Sequence, residues 1–343
     1  MYYIVFSVRK MKKPHNILIV GAGKIGSIRA KVAKKLSPRS KLYIFDTDPS
    51  KARKLSREVN GKTISSLEKG LRDKDIDVVV VAVINKNAKK ICISSLKNKK
   101  HVLCEKPMGT NFKEALEIYR TVEKCKRKFK CGFNHRYHPA LQAAYKLCKK
   151  NEIGKILFIR AAYGHGGRYR YDKGWRAKKS LSGGGELLDQ GSHLIDLCYW
   201  FFGFEEIKKT CCMAKTMFWD MNVDDNSFVL VETKTGKVAQ IHATWTQWKN
   251  LFRFEIYGTH GAIEINGLGK SYGIETLKIF KRKKLGEPPR VIEKQFKDYD
   301  KSWELEWLHF VRAIKQKSNK MQLMSNHKES LEVMKTINRL YSH

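Results

Sequence analysis

The chain has 343 residues, enough for two domains with separate cores, and 42% hydrophobic and 11% aromatic residues with only 7 prolines exclude disordered, collagen-like and small disulfide-stapled classes. No window approaches the ~18 consecutive apolar residues of a membrane span. Lys and Arg number 69 against 33 Asp and Glu, a net charge of +36 that on its own points to polyanions. The lysines recur through every segment (Lys97, Lys99 and Lys100; Lys124, Lys126, Lys128 and Lys130; Lys281, Lys283 and Lys284) and form no single tail or aromatic-interleaved stripe. A diffuse, solvated basic surface is therefore expected, with no nucleic-acid partner.

Eight cysteines contain no C-x-x-C pair, and Cys211 and Cys212 are adjacent, so neither a metal set nor a disulfide framework is expected. Reduced thiols fit a cytoplasmic setting. The apolar run Met1 to Val8 is short and precedes Arg9-Lys10, which is not the order of a signal peptide. Met11 reads as an alternative start, with the first ten residues a frayed extension.

From Asn16 onward, short apolar runs alternate with helical patterns. Strands are expected at Ile17 to Val20, Lys41 to Phe45, Asp77 to Val83, His101 to Cys104 and Lys130 to Asn134. The intervening stretches to Leu36, from Ser50 to Val59, from Lys89 to Lys97 and from Phe112 to Cys125 read as helices. Continuous Val/Ile runs separated by helices predict a parallel sheet covered on both faces, a doubly wound α/β domain. Past residue 136 the texture changes to a helix from His138 to Lys150, a strand from Ile156 to Tyr163 and a Gly/Arg/Tyr-rich loop from Gly164 to Leu181. One helix is expected from Leu187 to Phe202, then strands at Ile207 to Met213, Ser227 to Thr233, Val238 to Thr246, Phe252 to Tyr257 and Gly261 to Ile265. Strands in succession predict an antiparallel sheet. Amphipathic helices near Trp303 to Lys315 and Lys328 to Tyr341 close the chain.

Gly21-x-Gly23-x-x-Gly26 follows a strand and opens a helix. Glycine there permits the tight turn, the approach of backbone to a pyrophosphate and close helix packing, and the helix N-terminus favours an anion. Asp46 lies 20 residues past Gly26 at the end of the second strand, where a carboxylate accepts from ribose hydroxyls and repels a 2′-phosphate. This favours NAD over NADP, a preference that Lys24 and Arg53 soften. Cys104-Glu105-Lys106-Pro107 emerges at the carboxyl edge of the sheet, where Lys106 is either a solvated loop lysine or a donor to a substrate oxygen. Asp189 and His193 stand four apart on one helix face, with Asp196 nearly in line. As residues alone they fit a cap beside a core histidine, a metal site or an acid/base pair. The glycines at 183, 184 and 185 leave the helix entrance bare for a ligand.

In this order the motifs resemble the glucose–fructose oxidoreductase/inositol dehydrogenase (Gfo/Idh/MocA) family over about Asn16 to Tyr341. The signposts are the glycine loop, His101 through Pro107, Gly132-Phe-Asn134-His-Arg136-Tyr137-His-Pro139, and Gly183 through Asp196. The resemblance implies an NAD-binding Rossmann domain over 14–135 and a substrate and oligomerisation α+β domain over 136–343, with a large, mostly antiparallel open sheet. The C-terminal helices are expected to pack back on the first domain, and the second sheet to make a homodimer or homotetramer.

Residue by residue, the resemblance makes Lys106 the active-site lysine and Asp189 and His193 the acid/base pair. It places Gly21, Gly23, Lys24, Ile25, Gly26, Asp46, Asn85, Glu105 and Asn134 at the cofactor, and Arg136 and Tyr137 at the substrate. The family's usual Thr-Pro-Asn after the third strand is Val83-Ile84-Asn85 here, which leaves only the asparagine to seat the nicotinamide. The loop from Gly164 to Arg176 resembles members associated with surface-polysaccharide and nucleotide-sugar metabolism; either Arg168 and Arg176 hold a carboxylate or phosphate while Tyr169 and Trp175 pack on a sugar face, or the loop is a surface segment whose aromatics plug the domain interface.

The activity so implied is hydride transfer between a sugar or nucleotide-sugar carbinol and nicotinamide, with Lys106 and His193 converging on that carbon. The alternatives are an NAD-assisted glycosidase without net redox, and a non-enzymatic NAD-sensing or polyanion-binding protein.

Overall fold

The computed structural model describes residues 15–282, 284, 286–316 and 323–342, so the reading of the first ten residues lies outside the described part. Among the described residues, those of Met1–Met108, Leu116–Gly132 and Trp303–His327 form one compact unit, and those of Gly109–Ala115, Phe133–Ser302 and Lys328–His343 a second.

The nucleotide unit is α/β. Its elements run β1 (Asn16–Val20), α1 (Lys24–Leu36), β2 (Leu42–Phe45), α2 (Pro49–Glu58), β3 (Lys62–Thr63), α3 (Leu67–Arg72), β4 (Ile76–Val81), α4 (Asn85–Lys97), β5 (His101–Cys104), α5 (Phe112–Cys125) and β6 (Phe129–Cys131). All six strands are parallel, in the order β3-β2-β1-β4-β5-β6. The central strands are apolar throughout because both faces are covered, and Ile17, Ile19, Val78 and Val80 are buried against Ala30 and Ala33 of α1. β3 and α3 have no counterpart in the sequence reading. β3 is two exposed residues at the sheet edge, with no apolar run to announce it.

The second unit begins with a 3₁₀ turn, Asn134–Tyr137, followed by α6 (Pro139–Lys149), β7 (Ile156–Gly164), α7 (Lys179–Ser182), α8 (Glu186–Asp189) and α9 (Gly191–Phe202). Next come β8 (Ile207–Lys215), β9 (Asn226–Thr233), β10 (Val238–Thr244), β11 (Leu251–Gly258), β12 (Gly261–Asn266), β13 (Glu275–Lys281) and β14 (Arg290–Phe296). The eight strands form one sheet, ordered β14-β13-β12-β11-β7-β10-β9-β8. Every neighbouring pair is antiparallel except β7 with β10, which makes the sheet mixed. β14, exposed along nearly its whole length, lacks the alternation that reveals a half-buried strand.

The sheet is two-faced. Along β9, Val229 and Val231 point into the core while Phe228 and Leu230 point out. The expected single helix from Leu187 to Phe202 is broken at Gln190 into α8 and α9, and α9 is buried on every side. The last helices, α10 (Ser302–Lys315) and α11 (His327–Tyr341), divide between the units: Trp307 and Phe310 of α10 belong to the core of the nucleotide unit, whereas α11 lies almost wholly in the second.

Candidate active site

In the nucleotide unit, register sets the geometry. Val20, Val81, Cys104 and Cys131 are successive partners across β1, β4, β5 and β6, and Val20 also pairs with Phe45 of β2. The residues after these strand ends therefore emerge on one edge, which gathers Gly21, Asp46, Ala82, Glu105 and Gly132 at the reversal of strand order between β1 and β4. Open α/β sheets bind ligands at such an edge.

The three glycines there do different work. Gly21 has φ +100°, and a Cβ on it would lie 2.2 Å from Ala82 O. On Gly26 a Cβ would lie 1.8 Å from Gly21 O, but on Gly23, the N-cap of α1, it would meet nothing within 4 Å. Two glycines are thus closed by the protein, and the third opens a cradle at the positive end of α1, a fit for a dinucleotide pyrophosphate. Lys24 and Ile25 start that helix. The Asp46 carboxylate accepts from Ala22 N at 2.6 Å and from Asp48 N at 2.8 Å, which ties the strand-end acid to the glycine loop. Asn85 is the first residue of α4.

Lys106 is half-buried, and the peptide after it is cis. Its neighbour Glu105 is held by a residue the sequence reading missed. Arg29, fully buried on α1, donates from Nε to Glu105 Oε1 at 2.6 Å and from Nη1 to Glu306 of α10, while Trp303 covers its guanidinium at 4.4 Å. The second oxygen of Glu306 lies 3.3 Å from buried Lys130 Nζ. Burial works against the Arg29 charge, but Glu105 and Glu306 together keep its pKa above the ordinary value. Glu105, expected at the cofactor, is thus held by an internal bond that fixes the start of the Lys106 loop.

In the second unit Arg176 is paired with Asp189 at the end of α8, and His193 of α9 is joined to the Asn134 turn through His135, so the expected acid and imidazole stand on two helices and not on one face. Arg176 Nε donates to Asp189 Oδ2 at 3.0 Å, and Asp189 raises the Arg176 pKa. The His193 ring is buried and stacked on His135, with Phe133 and Tyr163 edge-on. Burial, reinforced by Tyr272, holds the Tyr163 phenol well above its usual pKa. Gln190 Nε2 donates to Tyr272 Oη at 3.0 Å. Asn134 Nδ2 donates to Ser302 Oγ at 2.9 Å, a side-chain bond inside this unit.

Several expectations are corrected. Arg136 is fully buried, with Nε and Nη2 on Asp196 at 2.8 and 2.5 Å and Nη1 on Glu329 at 2.6 Å, so its guanidinium is an internal charge and not a substrate clamp. Asp196, completely buried in the same pair, is likewise no second acid for His193. Tyr137 is buried as well. In the loop after β7, Tyr169 is 92% exposed, Arg168 is exposed and 5.9 Å from the Tyr171 ring, and half-buried Trp175 is covered by Arg176 at 4.5 Å.

The glycine triplet does not clear a ligand path. A Cβ on Gly183 would lie 2.2 Å from Thr110 O, on Gly184 2.6 Å from Tyr341 Oη, and on Gly185 1.9 Å from Asp224 O. Asp224 accepts from Gly185 N at 3.1 Å, Leu187 N at 2.8 Å and Tyr341 Oη at 2.8 Å, which anchors the start of α8. Asp225 accepts from Met217, Phe218 and Trp219 N at 2.8 to 2.9 Å, pinning the loop that carries those apolar side chains. Among the described residues no cluster of three or more His, Cys, Asp or Glu is arranged to hold a metal, and no helix is long and apolar enough to cross a membrane.

Comparison with known proteins matches residues 15–133 to an oxidoreductase family with an NAD-binding Rossmann fold and residues 141–264 to the GFO/IDH/MocA C-terminal domain. The chain is 28% identical over 221 residues to levoglucosan dehydrogenase of Pseudarthrobacter phenanthrenivorans, covering 57% of this chain and 56% of that one. It is 28% identical over 261 residues to 2,7-anhydro-N-acetylneuraminate hydratase of Escherichia coli, covering 73% and 67%. To glucose-6-phosphate 3-dehydrogenase of Bacillus subtilis it is 31% identical over 227 residues, covering 65% and 62%. The matched region thus spans between about half and two thirds of these relatives' lengths. A solved levoglucosan dehydrogenase in complex with NADH and levoglucosan shares the fold at TM-score 0.84, with 21% identity over 96% of each chain.

Proposed function

Because the chain belongs to the Gfo/Idh/MocA oxidoreductase family, with its NAD(P)-binding Rossmann domain, we propose that it is an NAD-dependent dehydrogenase or reductase of a cyclic sugar, free or nucleotide-linked. The observation that carries the reading is the pairing of an open cradle at Gly23 with Asp46 bound to the same loop, in a chain that retains Lys106, Asp189 and His193. Relatives named for levoglucosan and for glucose 6-phosphate support a cyclic polyol as substrate.

Oxidising a carbinol removes a proton from oxygen and a hydride from carbon. When bound, the nicotinamide cofactor supplies the hydride acceptor. In this reading the N-terminus of α1 holds the pyrophosphate, and Asp46 accepts from ribose hydroxyls and repels a 2′-phosphate, which favours NAD. His193 takes the hydroxyl proton, with Asp189 and Arg176 as the charged pair beside it. Lys106 donates a hydrogen bond to a substrate oxygen and stabilises the negative charge that grows there. Arg168 on the exposed loop serves an anionic substituent. The outward face of the eight-stranded sheet, with exposed Met213, Phe228 and Leu230, is assigned to a second copy of the chain.

The test is NADH formation with a panel of cyclic sugars that includes levoglucosan, glucose 6-phosphate and nucleotide-linked sugars. Turnover is expected with at least one of them. Lys106→Ala and His193→Ala should each lower kcat by at least about 10²-fold while NAD still binds; variants that run at near-normal rates with that substrate overturn the assignment. A second reading, in which the hydride returns and nothing is oxidised overall, is favoured by the hydratase relative. Sugar product accumulating without NADH would establish it.

A further inference from the structure

The His135 and His193 rings lie parallel within 17°, their centroids 3.7 Å apart, and the two residues are only 5% and 6% exposed. We propose that His135 is a positioning residue for the reaction: its ring covers one face of His193 and stops the two imidazoles from carrying protons together, which keeps His193 in the proton-accepting form. The inference rests on the reading of His193 as the base.

Two imidazolium rings at this separation, withdrawn from water, repel strongly, so the pair takes up its two protons in widely separated steps. A face-to-face stack has no ring nitrogen aimed at the other ring, so the coupling is electrostatic and involves no proton transfer between them. His135 is fixed for this task from several sides. Its Nδ1 is 3.2 Å from Asn134 Oδ1, and the amide of Asn134 is oriented by its own bond to Ser302. His138 meets the His135 ring edge-on at 5.6 Å, and His138 Nδ1 lies 2.7 Å from Glu275 Oε1 and 3.9 Å from Asp300. Tyr163 stands edge-on to both stacked rings. Of the carboxylates that precede His193 in the chain, Glu186 is buried in α8 and Asp189 is paired with Arg176. The first proton is held on His135, whose Nδ1 faces the acceptor oxygen of Asn134. The stack refuses the second, and without His135 a proton on His193 meets no such competitor.

The experiment follows the histidine ring resonances of the full-length protein by NMR across pH, alongside the pH profile of kcat/KM. In His135→Phe, which keeps an aromatic face, the His193 midpoint is expected to rise by at least about one pH unit, a tenfold gain in proton affinity, and the acid limb of kcat/KM to rise with it. The titration needs no turnover and is repeated in His135→Gln, where the His193 midpoint should rise in the same way; this variant decides the matter if the phenylalanine variant does not fold. Midpoints that stay in place in the folded variants overturn the proposal. Turnover retained by His193→Ala removes the base reading itself, an outcome read independently of the ring titrations.

Discussion

Gly26→Ala would place a methyl carbon 1.8 Å from Gly21 O, whereas the methyl of Gly23→Ala would project into open space. The first substitution is therefore expected to cost about 1–3 kcal/mol of stability through overpacking, read as a lower urea midpoint. The second should leave the midpoint in place and weaken NAD at least about tenfold in a fluorescence titration, because only a ligand occupies that volume. Asp46→Asn keeps an acceptor for Ala22 N and removes the charge, so discrimination against NADP should narrow by about tenfold or more. Acid sensitivity is a matter of single residues too. Burial, with Arg127 adding repulsion, pushes the His101 imidazole down from its ordinary 6.5 to about 4, and its Nδ1 accepts from Lys128 N at 3.0 Å. The unfolded chain thus binds this proton more tightly. The stabilisation is complete above about pH 6.5 and is lost as pH falls towards 4, by up to roughly 3 kcal/mol. His101→Asn, which retains an acceptor, should flatten urea stability between about pH 7 and pH 4.5.

Among elements, the buried chain Glu105–Arg29–Glu306–Lys130 locks α1, the end of β5, β6 and α10 together inside the nucleotide unit. Arg29→Met leaves Glu105 without its counter-charge and Glu306 with Lys130 alone, and is expected to cost about 3–5 kcal/mol, measured by denaturant unfolding. No pattern in the sequence announces this network, because its members are 76 and 277 residues apart. The glycine loop and Asp46 are legible for the opposite reason: their roles follow from local backbone chemistry and a fixed spacing. The parallel sheet is legible because strands buried on both faces are apolar throughout. β14 is not, since an exposed edge strand needs no apolar side chains. The break at Gln190 escapes too, because α8 and α9 are both so buried that the apolar pattern runs straight through it. Arg136 shows the converse limit. A motif can give a residue's place and misjudge its work, because only the fold shows that Asp196 and Glu329 already hold it.

Over the whole chain, the +36 charge and the outer face of the second sheet meet in one expectation. Met213 and Leu230, 58% and 49% exposed, stand among outward apolar side chains of β8 and β9. The chain is expected to sediment as a homodimer or homotetramer, and Met213→Asp combined with Leu230→Asp to sediment as a monomer. A wild-type chain that is monomeric at micromolar concentration would remove the sheet face from the proposed assembly.

The tyrosine that closes α11 carries a last consequence. The hydroxyl of Tyr341 accepts from Gly185 N at 3.1 Å and donates to Asp224 Oδ1 at 2.8 Å, so a side chain at the end of α11 fastens the short helix that ends in Asp189. Tyr341→Phe, which keeps the ring and removes both hydrogen bonds, would loosen the start of that helix without touching Asp189 itself.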